Sequence, residues 1–240
     1  MKNQVAENYY TSQARKLLKD FDKYTRKHAR KTIASNYGDH VTDTILREGR
    51  QEYEALVPEL HYIGGKKNRL TANLIASAWC LALYRVLKTR GKTAEEVGTI
   101  LHEAVAAQLR SYPRFVVRLV GRWMFAKFRL KKYAAESQKR RYPEDWVCSF
   151  IQGDGKQFDF GIDYTECAIC KFFHAQGADE FTPFLCLLDF PMSKAMGTGL
   201  VRTMTLAEGA EKCDFRFKRG REVREVKQGW PPESLKQNKT

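Results

Sequence analysis

A chain of 240 residues with 43% hydrophobic and 29% charged side chains has the make-up of an ordinary globular protein, long enough to bury a core without covalent staples. No apolar run approaches the ~20 residues that a membrane-spanning helix needs, so membrane insertion is not expected. The formal charge of +14 is one-sided: residues 1–146 hold 29 Lys+Arg and 15 Asp+Glu, whereas residues 147–240 hold 13 of each, so the first half offers either a basic docking face or a solvated helical surface.

The chain opens on a polar stretch, MKNQVAENYY, with no apolar signal-peptide core, so Sec export is not expected. The six cysteines then read as reduced thiols of a cytoplasmic protein. Residues 6–34 carry Leu17, Leu18 and Phe21 at helical spacing among basic residues. Tyr37-Gly38-Asp39 breaks that helix, and residues 39–57 offer a second, with Val41, Ile45 and Leu56 as its apolar positions. Residues 68–90 form the most apolar segment and predict a central helix, capped by Asn68, followed by Gly91 and carrying Cys80 as a small hydrophobe. Thr93 and Glu96 have the spacing of a capping box, opening a helix that runs to about Tyr112 before Pro113.

Residues 114–141 hold ten Lys/Arg and a single acid, Glu136. Phe115, Leu119, Trp123, Ala126 and Leu130 share one helical face. Such a segment suits a lipid surface or nucleic acid, but aromatic residues at this spacing more often face a core, and the inward-packing reading is preferred. Composition changes at Tyr142-Pro143-Glu144. Residues 146–152 and 156–164 predict a hairpin around a tight Gly153-Asp154-Gly155 turn. Short helices follow over residues 166–176 and from Thr182, the second carrying Cys186 and Asp189 before Pro191. Residues 199–207 and 212–217 predict two further strands, with Cys213, Phe215 and Phe217 on one face of the last and Asp214 and Arg216 on the other. Residues after Gly220 are polar and are expected to dock loosely. The predicted fold is α+β: a helical region (1–141) packed as a layer against an antiparallel sheet with short covering helices (142–220), then a polar tail (221–240).

The chemistry concentrates between Phe158 and Phe217, which contains four of the six cysteines. Cys167 and Cys170 form a C-x-x-C, one helical turn apart. A zinc ribbon needs a second matched pair, and Cys186 and Cys213 do not make one. Cys186 and Asp189 stand three apart, hence on one helical face; the carboxylate opposes ionisation of the thiol by like charge yet can accept its proton, and it can equally be a helix cap. Arg202 suits a bidentate clamp on a carboxylate or an ordinary cross-strand ion pair. Thr205 lies on the opposite face of the same strand unless that strand bulges or ends between them. His174 reads as a surface histidine. No phosphate loop, HExxH, GxSxG or EF-hand pattern is present.

Taken together, Cys167 directly after a strand, Cys186-Leu-Leu-Asp189, Thr205-Leu-Ala-Glu-Gly209 and Cys213-Asp214-Phe215 resemble the L-2-amino-thiazoline-4-carboxylic acid hydrolase family over residues 145–220. The resemblance marks Cys167, Cys186, Asp189, Thr205, Gly209, Cys213 and Asp214, and implies opening of a cyclic amidine-like C–N bond in a small heterocycle, giving a carbamoyl product. On this reading Cys186 or Cys167 is the nucleophile, Asp189 handles the proton, Cys213 and Thr205 line the pocket, and Arg202 binds a substrate carboxylate. No cofactor is expected. The Gly209-to-Cys213 turn also resembles the ligand-binding domain of 4-vinyl-reductase and phenol-sensor proteins, which holds a metal with cysteines and a glutamate; Arg202 and Thr205 precede the last cysteine here instead. The cluster of cysteines in this half offers the alternative of a non-enzymatic small-molecule sensor or a metal-thiolate binding protein, with zinc or another thiolate-bound metal. The expected partner is a small-molecule substrate; nucleic acid is not expected, and a homo-oligomer is compatible with the sequence.

Overall fold

A computed structural model describes residues 9–225. Residues 9–11 are helical and lead through a turn into α1 (Ala14–Tyr24), which buries Leu17, Leu18 and Phe21 as their spacing predicts. It is not one helix: a single π-helical turn, Thr25–Ala29, separates α1 from α2 (Arg30–Tyr37). At that turn the Thr25 hydroxyl donates to the Phe21 carbonyl at 2.9 Å, a back-bond that competes with the regular ladder. Gly38 ends α2 at a positive φ of 75°. Helix α3 (Asp39–Leu56) buries Ile45, Tyr53 and Leu56, but Val41 stays on the surface.

Helix α4 (Thr71–Lys88) is the central one and packs along α3. Asn68 does not cap it: its amide donates to the Ile63 carbonyl and to Asp145, each at 2.7 Å, tying the helix start to the entrance of the sheet. Cys80 lies half-buried against the core, and desolvation pushes its thiol up to about 12. Helix α5 (Ala94–Arg110) opens on the complete Thr93–Glu96 capping box.

The basic stretch departs from expectation. It divides at Phe125-Ala126 into α6 (Arg114–Met124) and α7 (Lys127–Ser137). Leu130 and Ala134 of α7 pack on the sheet, as an inward face requires. Phe115, Leu119 and Trp123 of α6 do not pack inward; they are exposed, because the short helix meets the rest of the chain along Val117 and Gly121 instead.

The second half is a five-stranded sheet in the order β1-β2-β4-β3-β5, formed by β1 (Val147–Gln152), β2 (Phe160–Glu166), β3 (Leu200–Arg202), β4 (Cys213–Phe217) and β5 (Arg224–Glu225). The pairs β1–β2, β2–β4 and β3–β4 are antiparallel. The hairpin joins through a loop over residues 153–159 rather than a tight turn; Asp154 accepts the backbone N–H groups of Lys156 and Gln157 and holds the loop closed. Strand β5 pairs in parallel with β3, so the tail starts inside the sheet; its remainder lies outside the described residues.

Three short helices belong to the second half, α8 (Ala168–Ala175), α9 (Thr182–Cys186) and α10 (Asp189–Met196); α10 packs on β3, whereas α8 and α9 pack on the helical half. One core cluster runs from Tyr10 through α4 and α5 to Phe172, Phe173, Phe181 and Leu185, so α8 and α9 share the interior of the helical half. A second cluster joins Leu130 and Ala134 to Phe160, Phe190 and Phe217. Gly98 of α5 allows the close approach of α9: a Cβ there would stand 2.7 Å from that of Phe184.

Candidate active site

The chain turns from β2 into α8 at Cys167, the residue that precedes the first helical position, with an extended φ of −130°. Its sulfur makes no conventional capping hydrogen bond, yet the backbone N–H groups of Cys170 and Ile169 and the indole N–H of Trp146 lie close enough to stabilise a thiolate. The thiol of Cys170, one turn on, adds the largest contribution. These donors overcome the cost of burial and hold the Cys167 thiol below the usual range, while the same contact pushes Cys170 up. Trp146 is fixed by its surroundings: Asp145 accepts its backbone N–H at 2.8 Å and receives the Asn68 amide with its other oxygen. Lys171 of α8 donates to the Pro143 carbonyl at 2.5 Å and pairs with Glu166, closing the same corner.

Cys186 and Asp189 were expected on one helix. They stand instead at the end of α9 and the start of α10, with Leu187-Leu188 between. The restart explains how Pro191 is tolerated, since a proline in the first turn of α10 removes an N–H that has no intrahelical partner. Arg202 joins the two segments: one guanidinium nitrogen donates to Asp189 Oδ2 at 2.6 Å and another to the Cys186 carbonyl at 3.1 Å. The Phe190 and Phe215 rings lie 5.0 and 5.2 Å from its guanidinium carbon. Only 4% of the Arg202 side chain is accessible, against 39% of Asp189, so the acid side of the pair is partly open to solvent and the guanidinium is not. Burial raises the Asp189 carboxyl against the opposing pull of Arg202. Burial also drives the Cys186 thiol well up, with Arg202 opposing.

Strand β3 ends at Arg202, far short of the expected Ala207, so Arg202 and Thr205 are not held to opposite faces of one strand. Thr205 heads a 3-10 turn, Leu206–Glu208, and its hydroxyl donates to Glu208 at 2.8 Å. Asp214 shapes the approach to that turn by accepting the N–H groups of Thr203 and Met204 at 2.7 and 2.9 Å and the Thr203 hydroxyl at 2.6 Å. The Cys213 sulfur accepts the Leu206 N–H at 3.2 Å, and burial pushes this thiol up to about 11. His174 is exposed and faces Asp179 at 3.1 Å.

The sulfurs of Cys167, Cys170, Cys186 and Cys213 all lie within mutual electrostatic reach, with Arg202 and Asp189 beside them. All six cysteines are free thiols. Among the described residues, no group of three His, Cys, Asp or Glu side chains is arranged to hold a metal ion. Trp146 reads in the sequence as an ordinary strand residue, and Asp214, marked by the family resemblance, carries no local signal of its role in holding the Thr203–Met204 backbone. The C-x-x-C spacing was the one available signal for Cys170.

No curated protein and no solved structure matches the chain. The sequence pattern of one family matches residues 72–217, which covers the central helix, the whole thiol cluster and most of the sheet. On that match, the chain belongs to the L-2-amino-thiazoline-4-carboxylic acid hydrolase family.

Proposed function

We propose that this chain hydrolyses a ring C–N bond in a small, carboxylate-bearing cyclic amidine of the L-2-amino-thiazoline-4-carboxylate type, with Cys167 as nucleophile. The observation that carries the reading is the place of Cys167, directly before the first turn of α8, where the backbone N–H groups of Ile169 and Cys170 and the Trp146 indole favour its thiolate, whereas burial disfavours ionisation of Cys186 and Cys213. A thiolate is the reactive form. Its sulfur attacks the amidine carbon, and the C=N electron pair moves onto the ring nitrogen. The ring nitrogen already carries one proton in the amidinium substrate; as the exocyclic amino lone pair re-forms a C=N bond, the ring C–N bond breaks and the leaving nitrogen takes a second proton from the thiol of Cys170. Water then adds to the sulfur-bound carbon, one of its protons returning to Cys170 through Asp189, and collapse of the adduct to C=O expels the Cys167 thiolate and passes the last proton to the freed amine, leaving a carbamoyl group on the product.

Asp189 directs that water. Its Oδ2 is fixed by Arg202, and its Oδ1 accepts no hydrogen bond among the described residues. A raised carboxyl pKa brings it closer to the range suited to proton transfer. In this reading Arg202 positions Asp189 rather than clamping the substrate, since its donors already serve Asp189 and the Cys186 carbonyl. Thr205 and Cys213 shape the wall through the Leu206 turn.

The test is ring opening of L-2-amino-thiazoline-4-carboxylate by single Cys→Ser variants. Cys167→Ser is expected to lower kcat/KM by about 10³-fold or more, whereas Cys186→Ser and Cys213→Ser stay within about tenfold. Full activity in Cys167→Ser would end the proposal.

A further inference from the structure

Helix α6 presents an arrangement that the proposed reaction does not use. At about 100° per residue, Phe115, Val116, Leu119, Val120 and Trp123 form one continuous face. Phe115 is 74% exposed, Leu119 65% and Trp123 61%, and Phe128 at the start of α7 adds a further 72%-exposed ring. The helix is anchored along the opposite stripe: Val117 and Gly121 are buried, and a Cβ on Gly121 would stand 2.7 Å from that of Met196 in α10. The anchoring contact therefore fixes which side of α6 faces outward. An apolar surface of this extent marks a contact site in a protein that otherwise keeps a polar exterior.

The charges beside it are of one sign. Arg114, Arg118 and Arg122 follow the flank of α6, and a cleft of about 480 Å³ opens against it. Arg118 and Arg122 line one wall of that cleft, and Lys194, Arg219 and Arg221 line the other, with Glu222 as the single acid. Among the described residues Arg118, Arg122, Lys194 and Arg221 make no ion pair. Glu136, the one acid in residues 114–141, is already held by Lys139 and Arg141. The Arg129 guanidinium carbon lies 3.7 Å from the Trp123 ring centre, placing charge and indole at the same level.

We infer that α6 and the arginine-lined cleft beside it dock the protein on an anionic phospholipid surface, with α6 lying in the plane of the interface. Aromatic and aliphatic side chains on one face with arginines along its edge are the composition that binds the boundary between headgroups and acyl chains. At 11 residues the helix is about 16 Å long, too short to span a bilayer. The same charges argue against a second copy of this chain as the occupant, because pairing the apolar faces would bring two basic flanks together. Nucleic acid would be attracted by the arginines but would leave Phe115 and Leu119 in water.

The experiment is cosedimentation of the full chain with phosphatidylcholine vesicles and with vesicles containing phosphatidylglycerol, together with tryptophan emission. Binding to the anionic vesicles at least tenfold stronger than to neutral ones, weakened by added salt and accompanied by a blue shift that Trp123→Phe reduces, is expected. Leu119→Ser, at an exposed position, is expected to lower binding about tenfold, and Arg118→Glu together with Arg122→Glu at least as much. Equal binding to neutral vesicles overturns the proposal, as does no binding to anionic ones. Binding to duplex DNA without vesicle binding also overturns it, as does a concentration-dependent dimer lost in Leu119→Ser without vesicle binding.

Discussion

Cys167 and Cys186 are chemically identical side chains within electrostatic reach of each other, and the fold treats them in opposite ways. Cys167 precedes the first turn of α8, where backbone N–H groups converge on its sulfur. Cys186 is the last residue of α9, where burial drives its thiol well up. Its carbonyl is taken up by Arg202. The difference teaches that proximity to a carboxylate is a poor guide to a reactive thiol. Burial holds the Cys186 thiol up against the pull of Arg202, whereas at Cys167 the donors beside the sulfur outweigh burial.

The largest expected consequence is the loss of about three orders of magnitude in activity on replacing Cys167 but not Cys186. Alkylation sharpens the comparison without relying on a substrate. At pH 7.5, iodoacetamide followed by mass spectrometry is expected to label Cys167 about 10²-fold faster than Cys186, since thiolate population changes tenfold per pK unit. The sign follows from the shifts: a lowered Cys167 pKa keeps thiolate present as pH falls below the usual thiol range, whereas Cys186 gains thiolate only well above it. Equal labelling rates would break the comparison.

Next in size is the pair that holds Cys186 in place. Arg202→Leu leaves Asp189 without its partner and frees the Cys186 carbonyl. A fully buried pair broken in this way costs about 3–5 kcal/mol; with 39% of Asp189 accessible, about 2–3 kcal/mol is expected by denaturant unfolding. A change below about 0.5 kcal/mol would mean that the ion pair does not hold the two helices together.

The smallest effect separates capping from chemistry. Thr93 and Cys167 occupy equivalent positions at the starts of α5 and α8, but only Thr93 makes a capping hydrogen bond. Thr93→Ala is expected to lower stability by about 1 kcal/mol with activity unchanged. Cys167→Ser is expected to leave stability unchanged or slightly raised, since serine is a favoured cap, while abolishing turnover. Loss of stability in Cys167→Ser would show that the sulfur serves packing instead.

Local patterns made much of this protein legible. The capping box at Thr93, the apolar run that becomes α4, the hairpin alternation and the C-x-x-C spacing depend on neighbours a few residues away, and each appears in the structure. The breaks were less legible. The π-helical turn at Thr25, the division at Phe125 and the restart at Asp189 come from side-chain back-bonding and packing that periodicity does not record. Misreading α6 had one cause: an apolar face at helical spacing shows that a surface exists, and not what covers it.

By itself the sequence determined the α+β class and the succession of a helical half and a strand-bearing half, because these follow from short-range propensity and hydrophobic periodicity, while the residue types of the thiol cluster were legible from side-chain chemistry and the family resemblance. Only the tertiary structure decided which sulfur meets hydrogen-bond donors, that Arg202 is committed to Asp189, and that Asp214 shapes a loop. Those outcomes depend on residues distant in the chain, Trp146 meeting Cys167 and Arg202 meeting Cys186 and Asp189. Their meeting is fixed by the packing of two core clusters and by no local feature of the chain.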